Sequence, residues 1–238
     1  MKMKIILVLS FFSLLIFISF IQNNSSEINY TILGDKELFS NNLKSVNFAD
    51  LVSRNLEEIE ELGFYSKDFI KENIRTIDVI NDINQNLTID NISIQNILKR
   101  TDILIINIGN NEINYKLSKI NYEENDNEIY RYLDEVIIDI QDLFKTIKKI
   151  NKKRIIFLGY YNDTNNVNND KYYIYINKKI KEISNNENIE FIDLYNILNK
   201  NNDYITKSNP VYITNEGNIA IYNNIIRKIN KLDLHKNN

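Results

Sequence analysis

Short apolar runs alternate along the chain with longer segments in which apolar residues recur every three or four positions. Runs that are short, rich in β-branched residues and bounded by polar or turn residues are typical of buried parallel strands. The runs predicted to be strands are Ile28–Leu33, Phe64–Ile70, Ile103–Ile106, Arg154–Leu158 and Ile189–Leu194. The helical spacing predicts amphipathic helices over Phe48–Leu62, Thr76–Ile83, Ile92–Arg100, Glu123–Asn151, Lys171–Ile183 and Asn215–Leu232.

Strands that alternate with helices predict parallel βαβ units and therefore an α/β fold. We expect a three-layer α/β/α domain around a five-stranded, doubly wound parallel sheet of the flavodoxin-like type. In that topology the first and third strands are neighbours at the point where the strand order reverses. The loops that follow them, Gly34–Glu37 and Gly109–Glu112, should therefore meet in one crevice. Residues 27–238 contain no repeat or linker and are predicted to form one domain.

The N-terminus has the pattern of an export signal. Lys2 and Lys4 precede Ile5–Ile21, which carries no charge. This apolar segment reaches the lower end of the length that spans a bilayer, and no small-x-small cleavage site follows it. We predict that residues 1–26 are an uncleaved signal-anchor, with the domain on the extracytoplasmic side of the cell membrane. The alternative is a cleaved signal peptide and a secreted domain.

Composition excludes several kinds of chemistry. The chain has no Cys, which excludes disulfides, thiolate metal sites and a Cys nucleophile. Its one His, His235, is the fourth residue from the end of the sequence, in the tail Leu234-His235-Lys236 beyond the last predicted helix. The net charge is -3 and no basic block dominates the sequence, so nucleic acid is not an expected partner. We expect no metal and no cofactor.

Three short glycine-containing motifs follow predicted strands, and a fourth motif lies in the loop before the last predicted helix. Each motif alone is weak evidence, but their order is more specific. They read Gly34-Asp35-Lys36-Glu37-Leu38, Gly109-Asn110-Asn111-Glu112, Gly159-Tyr160-Tyr161-Asn162 and Asn209-Pro210-Val211-Tyr212. In this order and approximate spacing the chain resembles the SGNH hydrolases, also called the GDSL esterase/lipase family. The resemblance covers nearly all of residues 27–238 and implies the SGNH-hydrolase fold.

The same resemblance implies that the catalytic residues have been replaced. The position of the family's nucleophilic Ser carries Lys36, the Asp position carries Asn209, and the His position carries Tyr212. The family's oxyanion-binding Asn is kept as Asn111. The second motif's Gly, which supplies a backbone donor, has no clear match, and Glu72 lies near where it should fall.

These replacements remove the groups that acyl transfer needs. Ser requires a base with a pKa near the working pH and a third group that orients the base. Tyr has an unperturbed pKa of about 10 and is a poor base at neutral pH. We therefore expect no catalytic residue, and the ligand-binding candidates are Asn111, Gly109 and Asp35. Asp35 and Glu112 could also form a carboxylate pair across the crevice, although loop capping is the more ordinary role.

The sequence thus predicts a membrane-anchored, extracytoplasmic SGNH-hydrolase-like protein that lacks hydrolase activity. It would act as a binding or scaffolding module in a bacterial cell envelope, for a glycan or an acylated ligand. One alternative is an active ester hydrolase or acyltransferase with a non-standard site, using Ser40 or Ser208 as a displaced nucleophile. Another is a purely structural envelope protein whose crevice is filled by Lys36 and Tyr212.

Overall fold

A computed structural model describes residues 27–39, 47–118, 126–164, 166–208 and 211–233. The predicted signal-anchor at 1–26 lies outside these residues, as do Ser40, Asn209 and His235. Within the described ranges, no helix combines the length and the apolar character that crossing a bilayer requires.

The centre of the fold is a parallel sheet. Its strands, together with a small separate hairpin, are β1 Ile28–Asp35, β2 Leu62–Ser66, β3 Ile70–Lys71, β4 Thr88–Ile89, β5 Ile92–Ser93, β6 Ile103–Asn107, β7 Arg154–Leu158 and β8 Glu190–Ile192. The sheet order is β2-β1-β6-β7-β8, with β3 pairing to the end of β1, and all of these pairings are parallel. β4 and β5 form the antiparallel hairpin. The predicted doubly wound topology is confirmed, and β1 and β6 are neighbours at the reversal point.

Helices cover both faces of the sheet. They are α1 Lys36–Phe39, α2 Phe48–Glu58, α3 Thr76–Asn84, α4 Ile94–Arg100, α5 Asn110–Ser118, α6 Asp126–Ile150, α7 Asp170–Asn186 and α8 Asn215–Asp233. Alternate residues of β6 divide between the two cores: Leu104 and Ile106 pack with α3 to α7, while Ile103 and Ile105 pack with α2 and α8. Since every residue of β6 is buried, the strand reads as a continuous apolar run, as strands covered on both faces do.

The register of β1 and β6 places the two predicted loops at one edge of the sheet. Gly34 lies opposite Asn107, so both strands end at the same level. Gly34 has a φ of 132°, and a Cβ there would lie 1.8 Å from the carbonyl oxygen of Asn107. Only glycine allows β1 to approach β6 so closely, and this contact fixes the floor of the crevice.

Two of the boundaries that differ from the predictions have a local physical reason. The first predicted helix ends at Glu58, because Glu60 takes a left-handed φ of 57° before the chain enters β2. The helix predicted from Ile92 begins at Ile94, since Ser93 accepts a hydrogen bond from the amide of Asn96 as its N-cap. The predicted second strand divides into β2 and β3.

Candidate functional site

The crevice lies where β1 and β6 end, and an amide side chain joins its walls. Asp35 is the last residue of β1, and Asn111 lies in the first turn of α5. The Asn111 Nδ2 donates one hydrogen bond to the Asp35 carboxylate and another, of 3.3 Å, to the carbonyl oxygen of Ile74. The predicted neighbours Asp35 and Asn111 are therefore in direct contact, and the loop before α3 forms a third wall.

This contact limits what Asn111 can do chemically. A side-chain amide has two N–H donors, and here both have acceptors within the protein. Asp35 is only 2 % exposed, so its carboxyl group is largely shielded from water. The arrangement fits a structural link across the crevice better than an oxyanion site.

Lys36 lies at the mouth of the crevice and pairs with Glu72. The Lys36 Nζ is 2.8 Å from Glu72 Oε1, and both side chains remain substantially exposed, 47 % and 67 % respectively. The hydrogen bond and the charge of Lys36 lower the pKa of the Glu72 carboxyl below its ordinary value. The ion pair connects the segment after β1 to the segment after β3, a contact that the sequence did not predict.

Gly109 is held by packing against a buried tyrosine. Its φ is 102°, and a Cβ would lie 2.4 Å from the Tyr160 hydroxyl. That hydroxyl donates a 2.6 Å hydrogen bond to the carbonyl oxygen of Ile108. Burial, with a contribution from the Glu112 charge, raises the pKa of Tyr160 well above its usual value. Gly109 therefore shapes the loop after β6, and the motif after β7 supports that loop from below.

Glu112 caps a neighbouring helix. Its Oε1 accepts a 2.7 Å hydrogen bond from the backbone amide of Thr76, the first residue of α3. Glu112 is also in the first turn of α5, so its carboxylate lies near two helix N-termini, where negative charge is favoured. Asp35 and Glu112 thus have different partners, and the contacts of Glu112 are those of a capping residue. Among the described residues, no group of three or more His, Cys, Asp or Glu side chains could hold a metal ion.

A half-buried carboxylate on the α5 side, Asp163, was not predicted. Asp163 accepts hydrogen bonds from Asn114 Nδ2 at 2.8 Å, from Asn110 Nδ2 at 3.3 Å and from the Tyr173 hydroxyl at 3.3 Å. Burial raises the pKa of Asp163 above its ordinary value, and these hydrogen bonds oppose the rise. The sequence signal was the four-residue spacing of Asn110 and Asn114, which puts both amides on one face of α5.

The segment that precedes α8 also lies at this edge of the sheet. Asn218, in the first turns of α8, accepts a 3.1 Å hydrogen bond from the backbone amide of Phe48, which begins α2. Tyr212 is half-buried, and its backbone amide donates to Thr206 Oγ1 at 2.9 Å. Ser208 Oγ lies 2.7 Å from the same Thr206 hydroxyl. Asn209 is outside the described residues, so the structure brings together Asp35, Lys36 and Asn111 but does not position the Asn209 side chain.

Comparison with known proteins gives likeness in structure without likeness in sequence. No protein-family model matches the chain, and no curated protein matches it. A lipase, Lip_vut3 from a goat rumen metagenome, superposes with a TM-score of 0.71 at 18 % identity, covering 84 % of this chain and 96 % of the lipase. The acetylxylan esterase Axe2 from Geobacillus stearothermophilus superposes with a TM-score of 0.62 at 16 % identity, covering 86 % of this chain and 94 % of the esterase.

Catalytic mutants of that esterase replace a Ser, an Asp and a His, the last two being three positions apart. At these identities the likeness concerns the fold. Together with the sheet order and the position of the crevice, it confirms the resemblance that the motifs indicated: the chain has an α/β fold like that of the SGNH/GDSL hydrolases.

Proposed function

We propose that this protein is a membrane-anchored, extracytoplasmic binding or scaffolding module that has an SGNH-hydrolase-like fold but no SGNH hydrolase activity. The observation that carries the proposal is the engagement of Asn111. Its amide donates to the Asp35 carboxylate and to the Ile74 carbonyl, so no side-chain donor is left for an oxyanion. Stabilising an oxyanion is usually the largest single contribution to acyl-transfer catalysis.

The residues at the other catalytic positions support the same conclusion. Lys36 stands at the nucleophile position, where its ammonium group is held by Glu72. Asn209 and Tyr212 have the three-residue separation of the Asp and His in the esterase's catalytic mutants. A neutral amide cannot compensate the charge of a protonated base. The phenol of Tyr has an unperturbed pKa of about 10, too high for a base at neutral pH.

The test of this proposal is an ester-hydrolysis assay on the full chain in a mild non-ionic detergent. p-Nitrophenyl acetate and acetylated xylan serve as substrates, with the acetylxylan esterase as a positive control. We expect the chain and its Lys36→Ala variant to give the rate of buffer alone. Hydrolysis that is present in the chain and lost in Lys36→Ala contradicts the proposal.

The binding role is supported by the exposure of the ion pair at the crevice mouth. Lys36 and Glu72 present a cation and an anion side by side to solvent, which suits a polar ligand such as an envelope glycan or the head of an acylated molecule. Co-sedimentation with purified cell-wall polysaccharide tests this role. We expect the chain to sediment with the polymer, and the double variant Lys36→Ala, Glu72→Ala to remain in solution. If the chain and the double variant sediment to the same extent, the crevice does not bind the polysaccharide.

The membrane location is supported by the basic start and the uncharged segment Ile5–Ile21. Extraction of cell membranes at alkaline pH and protease treatment of intact cells test it. The chain should resist extraction and be cleaved from outside.

An active enzyme with a rearranged site is the second candidate, favoured by the structural likeness to a lipase and an acetylxylan esterase. It requires a serine nucleophile other than one at position 36. A fluorophosphonate probe followed by peptide mass spectrometry distinguishes the two candidates. Labelling of Ser208 or Ser40 supports the enzyme, whereas an unlabelled chain beside a labelled esterase control supports the binding module.

A further inference from the structure

A basic patch lies at the amino edge of the sheet, on the side opposite the crevice. We define it by six residues: Lys99, Arg100, Lys148, Lys149, Lys152 and Lys153. Lys148, Lys149, Lys152 and Lys153 fall within six consecutive positions, at the end of α6 and before β7, and Lys99 and Arg100 come from the last turn of α4. The fold adds Lys99 and Arg100 to this local basic run.

Buried hydrogen bonds hold these three segments together. Asn151, which is 2 % exposed, donates from Nδ2 to the carbonyl oxygens of Leu98 at 2.7 Å and Thr101 at 2.9 Å. Its Oδ1 accepts a 2.7 Å hydrogen bond from the Lys153 backbone amide. One amide side chain thus ties the end of α4 to the segment that follows α6. The fold therefore fixes the backbone positions from which these basic side chains extend.

Acidic groups also line this edge: Glu27, Glu61, Asp102 and Glu190 border the same hollow as Lys152 and Lys153. Lys153 pairs with Asp102 at 2.5 Å, and Asp102 also accepts from the backbone amide of Asn29. Lys148 donates to the backbone carbonyl of Glu187, and Arg100 stacks over the ring of Phe64, 5.1 Å from its centroid. Basic residues at helix C-termini are expected from the helix dipole. The dipole does not account for the exposed residues Lys152 and Lys153, which lie beyond the end of α6.

The chain enters the domain beside this patch. Asn29, near the start of β1, donates from Nδ2 to the carbonyl oxygen of Arg100 at 3.0 Å, and its own carbonyl accepts from the Asp102 amide at 2.8 Å. The proposed anchor ends a few residues before Glu27, so the patch lies within reach of the membrane surface. On the other side of β1, the segment from Glu57 to Glu61 is acidic, which makes the edge bipolar.

We infer that the basic patch docks on the anionic lipid surface of the membrane that anchors the chain, with the acidic side tilted away. Cationic side chains next to an anchored segment are drawn to anionic headgroups within about one Debye length. Docking in this orientation turns the crevice away from the bilayer. β1 has eight residues that rise about 3.3 Å each, so the crevice lies about 26 Å from the docked edge. Its ligand then comes from the aqueous side. The inference rests on the proposed anchor but not on the chemistry of the crevice.

The test uses the full chain in vesicles of phosphatidylcholine alone and in vesicles that also contain phosphatidylglycerol. Flotation reports the anchor, and amine labelling read by mass spectrometry reports docking. We expect flotation with both vesicles. Labelling of Lys99, Lys149 and Lys152 should be about fivefold lower in vesicles with phosphatidylglycerol than in vesicles without it. This factor corresponds to about 1 kcal/mol, the attraction of one basic residue to an anionic surface. Lys178 and Lys207, exposed elsewhere, should label equally in both.

Charge-reversal variants separate docking from net charge. Lys149→Glu combined with Lys152→Glu should abolish the protection of Lys99, whereas Lys178→Glu combined with Lys207→Glu should preserve it. Flotation with equal labelling of Lys99 in both vesicles would overturn the docking inference and leave the anchor intact. A chain that floats with neither vesicle would overturn the anchor, and the docking inference with it.

Discussion

Replacing Asn111 by alanine removes the link between the two loops of the crevice, and the structure sets the size of the effect. The amide makes one hydrogen bond to a carboxylate that is 2 % exposed and one to the carbonyl of Ile74. Hydrogen bonds to charged groups contribute about 1.5–3 kcal/mol and neutral ones about 0.5–1.5 kcal/mol. Water can reach the half-buried Asn111, so we expect the free energy of unfolding to fall by about 2–4 kcal/mol rather than by the larger sum.

Urea denaturation of the full chain in mild detergent measures this change. Asn223→Ala is the matched control, because Asn223 is exposed on α8 and its loss should change the free energy of unfolding by less than about 0.5 kcal/mol. A double-mutant cycle with Asp35→Asn should give a coupling energy of about 1 kcal/mol or more, since the two side chains are in contact. The reasoning is refuted if the Asn111→Ala variant is as stable as the Asn223→Ala control and the cycle with Asp35→Asn shows no coupling energy.

Three further substitutions test other parts of the site. Gly109→Ala should destabilise the chain by about 2 kcal/mol or more in urea, because a side chain at a φ of 102° is strained and its Cβ meets the Tyr160 hydroxyl; an unchanged midpoint would contradict this packing. Asp163→Asn should raise stability at neutral pH and remove a pH dependence. Burial raises the pKa of Asp163 above 3.8 in the folded chain, so the protonated carboxyl stabilises the parent chain at acidic pH. This stabilisation is lost as the pH rises through the pKa of the folded state. If the stabilities of parent and variant change with pH in the same way, the prediction is wrong. Lys36→Met should leave the unfolding midpoint unchanged, because its ion pair with Glu72 is exposed to solvent; a clear fall would mean that the pair is structural.

Much of the fold could be predicted because its strands are buried on both faces. β6 and β7 are continuous apolar runs, and their predicted limits agree with the structure to within one residue. The alternation of strands and helices then predicted a parallel sheet, because two parallel strands must be joined by a crossover that packs on the sheet. α5 was missed because its buried residues are only Ile113 and Leu117, too few to give a helical period.

The interior of the site was less predictable because its contacts join residues far apart in the sequence. Glu112 caps α3 across 36 positions, and Asn111 reaches Asp35 across 76. Motif spacing placed Asp35, Lys36 and Asn111 at one edge, but it contains no information on which donor meets which acceptor. The role of Glu72 as the partner of Lys36 likewise depends on β3 pairing with the end of β1, a two-residue strand with no sequence period of its own.

The central claim is that Asn111 links the crevice and does not stabilise an oxyanion. The most direct measurement is the rate of p-nitrophenyl acetate hydrolysis by the chain and by Asn111→Ala, at a urea-free condition where both are folded. We predict the same background rate for both proteins, although the variant is less stable. A rate above background that falls by about 10²–10³-fold in Asn111→Ala, the usual effect of deleting an oxyanion donor, would contradict it.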